Sequence, residues 1–172
     1  MLLRKADISD IEGLMRIFAQ ARSAQREAGF VQWEDGYPSA EILTADIYGD
    51  IGYVMDDEDK MAGYVAIAPF DKEYEKFPQL WRCAGAYAVF HRIAIADGYR
   101  GKGISKTLFD LAENKSRDMG AVSIRIDTGI QNRPMQHILI KRNYANLGTR
   151  SFSWGPRLAF EKSLDIVPDF AL

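Results

Sequence analysis

One junction constrains this chain more than any other. The segment Ala86 to Ala96 (AYAVFHRIAIA) is apolar on both faces, the pattern of a strand in the middle of a sheet. It runs directly into DGYRGKG, residues 97–103, and Ile104, Leu108, Leu111, Ala112 and Met119 then recur on one side of a helix that Gly120 ends. A buried strand that passes through a glycine-rich turn into an amphipathic helix belongs to α/β architecture. Glycines let the backbone approach a ligand closely. A helix beginning there presents free N–H groups and the positive end of its dipole. The combination suits a phosphate or diphosphate, and Arg100, Lys102 and Lys106 add formal positive charge. By itself the turn is equally compatible with a ligand-free connection.

Two familiar phosphate loops do not fit. A Walker A loop counted from Gly98 reaches Gly103 but meets Ile104 where lysine is required, and counted from Gly101 it meets Lys106 where the second glycine is required. A dinucleotide fingerprint starting at Gly101 also fails, because Lys106 stands at its third glycine.

The remaining elements can be placed around that junction. Leu2 to Ala6 reads as a first strand. Asp7 caps a helix, with Asp10 as its box partner, and Ile11, Leu14, Met15, Phe18 and Ala21 form the buried face before Gly29. An aromatic-rich loop, residues 30–38, leads to a second helix capped by Ser39. Residues 51–55 and 61–68 form a hairpin with an acidic tip, 69–80 a loop with a helical turn, and 122–127 a further strand. Asn132 caps a helix to about Arg142, with Pro134 early in it. Residues 145–154 and 157–163 close the chain as a hairpin around Gly155-Pro156. The order β-α-α-β-β-β-α-β-α-β-β predicts an α/β fold with a mixed sheet.

Composition narrows the function. The 172 residues suit a single domain spanning the whole chain, 1–172, with no need of a stabilising disulfide or metal. Lys and Arg total 22 against 24 Asp and Glu, a net charge of -2 without the basic surplus of a nucleic-acid binder. The lone Cys83 and two histidines exclude a disulfide framework and disfavour zinc. No apolar stretch approaches a membrane span, and the N-terminus lacks a signal-peptide core. A soluble, cytoplasmic protein is expected, with no metal, nucleic-acid or membrane partner.

The junction resembles the signature of the GNAT superfamily of N-acetyltransferases, Q/R-x-x-G-x-G/A. Here it reads Arg100-Gly101-Lys102-Gly103-Ile104-Ser105, with a small serine at the last position. A second family segment, N-x-x-A-x-x-L-Y-x-K-x-G-F, has its counterpart in Asn132 to Tyr144, where Asn132 and Lys141 match and Met135 replaces alanine. The resemblance covers residues 2–163. It implies the GNAT fold, a mixed central sheet splayed at the cofactor site with helices on both faces. It also implies acetyl-CoA as the ligand, with Arg100, Gly101, Lys102, Gly103, Ile104, Ser105 and Lys106 cradling the pyrophosphate. Ile93, Ala94 and Ile95 would pair with the pantetheine arm, the amide of Ile95 or of a neighbour stabilising the oxyanion, and Asn132, Met135 and Lys141 would complete the cofactor site.

Two usual catalytic groups of the family are missing. Leu139 stands where a tyrosine commonly protonates the thiolate, and Val89 where a glutamate commonly serves as base. His91 lies on the same strand face as Val89, and imidazole titrates in a range suited to neutral-pH base catalysis. His91, Asp127 and Tyr144 are therefore the candidate proton-transfer residues. In this superfamily the loop between the first two helices lines the acceptor pocket, which makes Gln32, Trp33 and Glu34 the candidate acceptor contacts, with Tyr37 as packing. The expected reaction is direct acetyl transfer to the primary amine of a small molecule, with a homodimer compatible with the family. A non-catalytic CoA sensor and a protein or peptide acetyltransferase are the alternatives.

Overall fold

The computed structural model describes residues 1–164. In chain order the elements are β1 (Leu2–Lys5), a single 3₁₀ turn (Ile8–Asp10), α1 (Ile11–Glu27), α2 (Ala40–Tyr48), β2 (Gly52–Asp57) and β3 (Lys60–Ala68). There follow the short α3 (Lys72–Glu75), β4 (Tyr87–Ile95), a second 3₁₀ turn (Asp97–Tyr99), α4 (Ile104–Asp118), β5 (Ser123–Gly129), α5 (Arg133–Lys141), β6 (Ala145–Phe152) and β7 (Gly155–Ser163). Local chemistry sets the boundaries. Asp7 and Asp10 form a reciprocal capping box, the Ser39 hydroxyl accepts from the Ile42 N–H, and the Asn132 side chain accepts from the Met135 N–H. Each cap satisfies a donor that the first helical turn leaves open.

The seven strands form one sheet in the order β1-β2-β3-β4-β5-β7-β6, so β4 is the middle strand, as its two-sided apolarity predicts. Helices cover both faces. Leu14, Ile17 and Phe18 of α1 and Leu43 of α2 pack on Val54, Tyr64 and Ala66. Leu108, Phe109 and Ala112 of α4 and Leu139 of α5 pack on Met55, Val65, Ile67, Phe90 and Ile124. Neighbouring strand residues thus serve opposite layers, the period-two rule of a pleated sheet.

Two irregularities shape the middle of the sheet. The β4–β5 pair is parallel and short: Tyr87, Ala88 and Val89 pair with Ser123, Ile124 and Arg125, and beyond them the strands part. On its other edge β4 pairs with β3, where Tyr64 faces Ala94 and Ala66 faces His91. Val65 alone therefore spans Arg92 and Ile93, a β-bulge, and Arg92 carries a left-handed φ of 52°. Because of the extra residue, His91 and Arg92 both reach toward the side carrying α2 and α3, as their contacts below show.

The closing hairpin differs from expectation. Its turn is Ser153-Trp154, with Phe152 paired to Gly155 and Ser151 to Pro156, because Gly155 at φ 101° opens the strand rather than making the turn. Met119 is more exposed than its helical spacing implies, and Cys83 is a half-buried free thiol. Among the described residues no helix is long and apolar enough to cross a membrane, and no cluster of His, Cys, Asp and Glu could hold a metal ion.

A buried charge centre joins α4, α5 and β7. Glu113 is 4% exposed; its carboxylate accepts from Arg142 Nε at 3.0 Å, Tyr144 OH at 3.1 Å and Lys162 Nζ at 2.7 Å. Removing it strands Lys162 and a phenol and leaves Arg142 with one carboxylate, Asp110. Glu113→Ala is expected to lower unfolding free energy by about 3 kcal/mol, read from urea denaturation.

Candidate active site

The parting of β4 and β5 opens a cavity of about 810 Å³. Its walls are Phe90 to Ile95 of β4, Ile126, Asp127 and Thr128 of β5, the loop from Phe30 to Tyr37, and Asp71, Trp154 and Arg157. Asn132, Met135 and Ile138 of α5 and Arg100 of the glycine-rich turn extend the wall on the other side. One cavity thus touches both the predicted anion site and the predicted acceptor loop.

At the glycine-rich turn Gly101 and Gly103 hold φ values of 72° and 75°, which side chains disfavour. A Cβ at either position would meet nothing within 4 Å, so the space above the turn is open. Among the described residues, the N–H groups of Gly101, Lys102, Gly103, Ile104 and Ser105 have no hydrogen-bond acceptor; the next, Lys106, is bonded to Gly103 O. Five consecutive free donors at the start of α4 make an anion cradle. The side-chain cations are more committed than their formal charge suggests. Arg100 pairs with Asp97 and donates to Ile95 O, Lys102 donates to Gly98 O, and Lys106 pairs with Asp110. The backbone supplies the site, while Arg100 and Lys102 brace the turn.

Along β4, Ala96 N–H donates to Ala62 O, and alternation in an antiparallel pair turns the Ile95 N–H to the opposite edge, toward the opening. Ile93, Ala94 and Ile95 all line the cavity, as do Asn132 and Met135. Lys141 does not: it is exposed at the end of α5.

The titratable groups gather on the α3 side. His91 Nε2 lies 2.8 Å from Asp71 Oδ2. If Nε2 carries the proton toward that carboxylate, Nδ1 is left as the lone-pair nitrogen. Burial pushes Asp71 upward, but the bonds from His91 and the Glu73 N–H outweigh it and hold the carboxyl below its ordinary range. Asp127 lies inside β5 rather than at its end; it accepts from Tyr74 OH at 2.7 Å and Trp154 Nε1 at 3.3 Å, with Arg157 Nε at 3.7 Å. Burial raises the Asp127 carboxyl above the usual range, and Tyr74 and His91 only partly oppose it. Tyr74 is itself fully buried, which pushes its phenol well above the usual value. Asp71 and Tyr74 escape sequence reading because they sit in a segment that reads as loop; only the N-cap pattern Asp71-x-Glu73, whose N–H the aspartate accepts, marks it.

Tyr144, expected as a proton donor, is not brought to the cavity. It is buried between α4 and β7 with its hydroxyl on Glu113, because it occupies the core position that follows α5. Leu139 is likewise fully buried in that core. Gln32 lines the cavity, but its Oε1 already accepts from Thr128 Oγ1, Gly129 N and Asn132 Nδ2 at 3.1, 3.0 and 2.8 Å. It ties the aromatic loop to the β5–α5 corner. Trp33 packs edge-on against Phe18 while lining the cavity, and Glu34 is exposed at the mouth. Arg92 has no distinguishing sequence signal, yet its guanidinium grips the buried Asp46 of α2 at 2.6 and 2.7 Å and reaches Tyr37 OH at 3.3 Å.

The chain matches the model of the acetyltransferase (GNAT) family over residues 17–144. Among solved structures it is similar to a GNAT-family acetyltransferase from Streptococcus agalactiae, at 30% identity over 95% of each chain with a TM-score of 0.81. A GNAT-family acetyltransferase from Listeria monocytogenes shares 20% identity over 95% of this chain and 94% of its own, with a TM-score of 0.76. The PaiA N-acetyltransferase of Thermoplasma acidophilum, solved in complex with coenzyme A, shares 18% over 95% and 98%, with a TM-score of 0.68. No curated protein matches the chain.

The raised Asp127 carboxyl has a stability consequence. Its folded-state pKa exceeds the unfolded one, so the native state is favoured below the unfolded value near 3.9 and loses that advantage as pH rises through the folded value. Asp127→Asn keeps an acceptor for Tyr74 without the charge. It is expected to melt above the wild type at pH 7, with the gain vanishing toward pH 3 in a calorimetric series.

Proposed function

This chain belongs to the GNAT acetyltransferase family and is an N-acetyltransferase, and we propose that it takes the acetyl group from acetyl-CoA and passes it directly to the primary amine of a small molecule. The observation that carries this reading is the row of five free N–H groups, Gly101 to Ser105, beside the opening between β4 and β5. The open space above Gly101 and Gly103 and the unpaired edge of β4 fit a diphosphate followed by an extended amide-bearing arm. Bound acetyl-CoA supplies the acetyl group as a thioester.

The chain's own residues then have distinct tasks. The N–H groups of residues 101–105 hold the diphosphate, and the free β4 edge holds the arm. The Ile95 N–H donates to the acetyl oxygen as charge develops there, a contribution of about 3 kcal/mol for one such donor. Asp127 and Glu34 attract a cationic amine into the cavity. The bound ammonium first releases one proton to water; Asp71 orients His91, whose Nδ1 accepts the second proton as the N–C bond forms and the C–S bond breaks. The same proton is then available for the departing thiolate, a task that Leu139 and Tyr144, both in the core, do not perform. A concave cleft of about 810 Å³ suits a small acceptor.

Two substitutions separate binding from chemistry. Gly103→Glu places a carboxylate and a strained left-handed residue at the cradle; the apo protein should lose about 1 kcal/mol and show no rise in melting temperature with CoA. A normal CoA response would overturn the diphosphate assignment. His91→Ala should retain that response while kcat in a thiol-release assay falls about 10²–10⁴-fold. An unchanged pH–rate profile would remove His91 from proton transfer.

A further inference from the structure

We propose that the acceptor is an amino-acid-like zwitterion, an amine that also bears a carboxylate, and that Arg157 receives the carboxylate. The inference rests on the reading of this cavity as the acceptor site of an N-acetyltransferase, and it names the chemistry of the missing half of the ligand.

It begins from an inequality among the arginines. Several are closely matched, including Arg92 and Arg100, the other two that line the cavity. Arg92 holds Asp46 at 2.6 and 2.7 Å, and Arg142 holds Asp110 at 2.6 Å and Glu113 at 2.9 Å. Arg125 bonds Glu161 and Cys83 O and lies against the Tyr87 and Trp81 rings. Arg100, the other arginine beside the anion turn, is held by Asp97 at 2.7 Å and Ile95 O at 3.2 Å.

Arg157 differs. Its side chain is 20% exposed and lines the cavity. Its nearest carboxylate, Asp127, is 3.7 Å away, outside hydrogen-bond distance. Its one hydrogen bond among the described residues runs from Nη1 to the adjacent Pro156 O. The guanidinium lines the cavity with most of its fork unfilled and open to the solvent there, which leaves it free for a bidentate partner, and a carboxylate is the planar anion that completes it.

The neighbour on the same wall sets the orientation. Asp127 carries the opposite charge, and Trp154, which donates to it, lies edge-on to His91 with ring centres 6.4 Å apart. The wall therefore presents a cation beside an anion, with the base alongside the anion. The matching ligand presents the reverse pair, its carboxylate on Arg157 and its ammonium on Asp127, next to the nitrogen that takes the proton. A monoamine leaves Arg157 unmatched. A dianion is repelled by Asp127 and Asp71.

The test compares common α-amino acids with their primary amides, which keep the amine and lose the carboxylate, by kcat/KM in thiol release from acetyl-CoA. Acid should exceed amide by about tenfold or more for the preferred side chain, mostly through KM, the worth of one charge-assisted hydrogen bond. Arg157→Gln should bring that ratio near one, and Arg157→Lys should leave it between the two. CoA-induced stabilisation reports whether each variant is folded; if Arg157→Gln is not, the wild-type ratio and Arg157→Lys decide. Amides used as well as acids by the wild type, or a ratio unmoved in the folded variants, overturns the proposal. So does acetylation confined to monoamines or peptide N-termini, which leaves the acetyltransferase reading intact. Absence of thiol release with every amine overturns both.

Discussion

The buried pair between Arg92 and Asp46 holds the geometry on which the rest of the site depends. Arg92 sits at the bulge of the central strand in a backbone conformation that costs an ordinary residue about 1–2 kcal/mol. It remains there because its guanidinium meets both oxygens of Asp46, and Tyr64 donates to that same carboxylate. Breaking such a pair leaves an uncompensated charge in the interior, a larger loss than the strain. His91 shares the α3 side with Val89 by ordinary alternation, and the extra residue turns Arg92 to the same side and shifts the register of β4 just before Ile95. The placing of the Ile95 N–H relative to His91 therefore depends on one buried salt bridge.

A second charge centre closes the other end of the opening. Val89 pairs with Arg125 in the last rung of the parallel ladder, and Arg125 is gripped by Glu161 of β7 and stacked on aromatic rings. Beyond that rung the β4 edge is free. Tightly matched ions thus flank the opening between β4 and β5, and the more loosely matched Asp127 and Arg157 lie inside it. Tight pairs act as framework; the loose pair is available to a ligand.

Much of this was legible in the sequence, for local reasons. The caps at Asp7, Ser39 and Asn132, the two-sided apolarity of β4 and the glycines at 101 and 103 each report short-range physics, and the structure agrees with them. The anion cradle was legible because it is made by consecutive backbone groups. His91 and Asp127 were legible as candidates, but their partners were not, because their meaning is tertiary: Asp71 and Tyr74 come from a segment without periodicity, and Arg92 departs from strand alternation through a bulge that no residue type announces. Tyr144 and Gln32 show the opposite effect. The Tyr144 hydroxyl is taken by Glu113 and lies outside the cavity, and Gln32 lines the cavity with its amide oxygen already shared by three donors distant in sequence.

That arrangement at Gln32 bears on how the pocket could change over evolutionary time. A single amide oxygen is shared by three donors from the β5–α5 corner, so the aromatic loop cannot swing outward without leaving all three unmatched. The pocket wall behaves as a rigid mould. New acceptors would be accommodated by exchanging side chains at the mouth, such as Glu34, far more readily than by lengthening or reshaping the loop, and specificity would drift by substitution while the wall's shape persists.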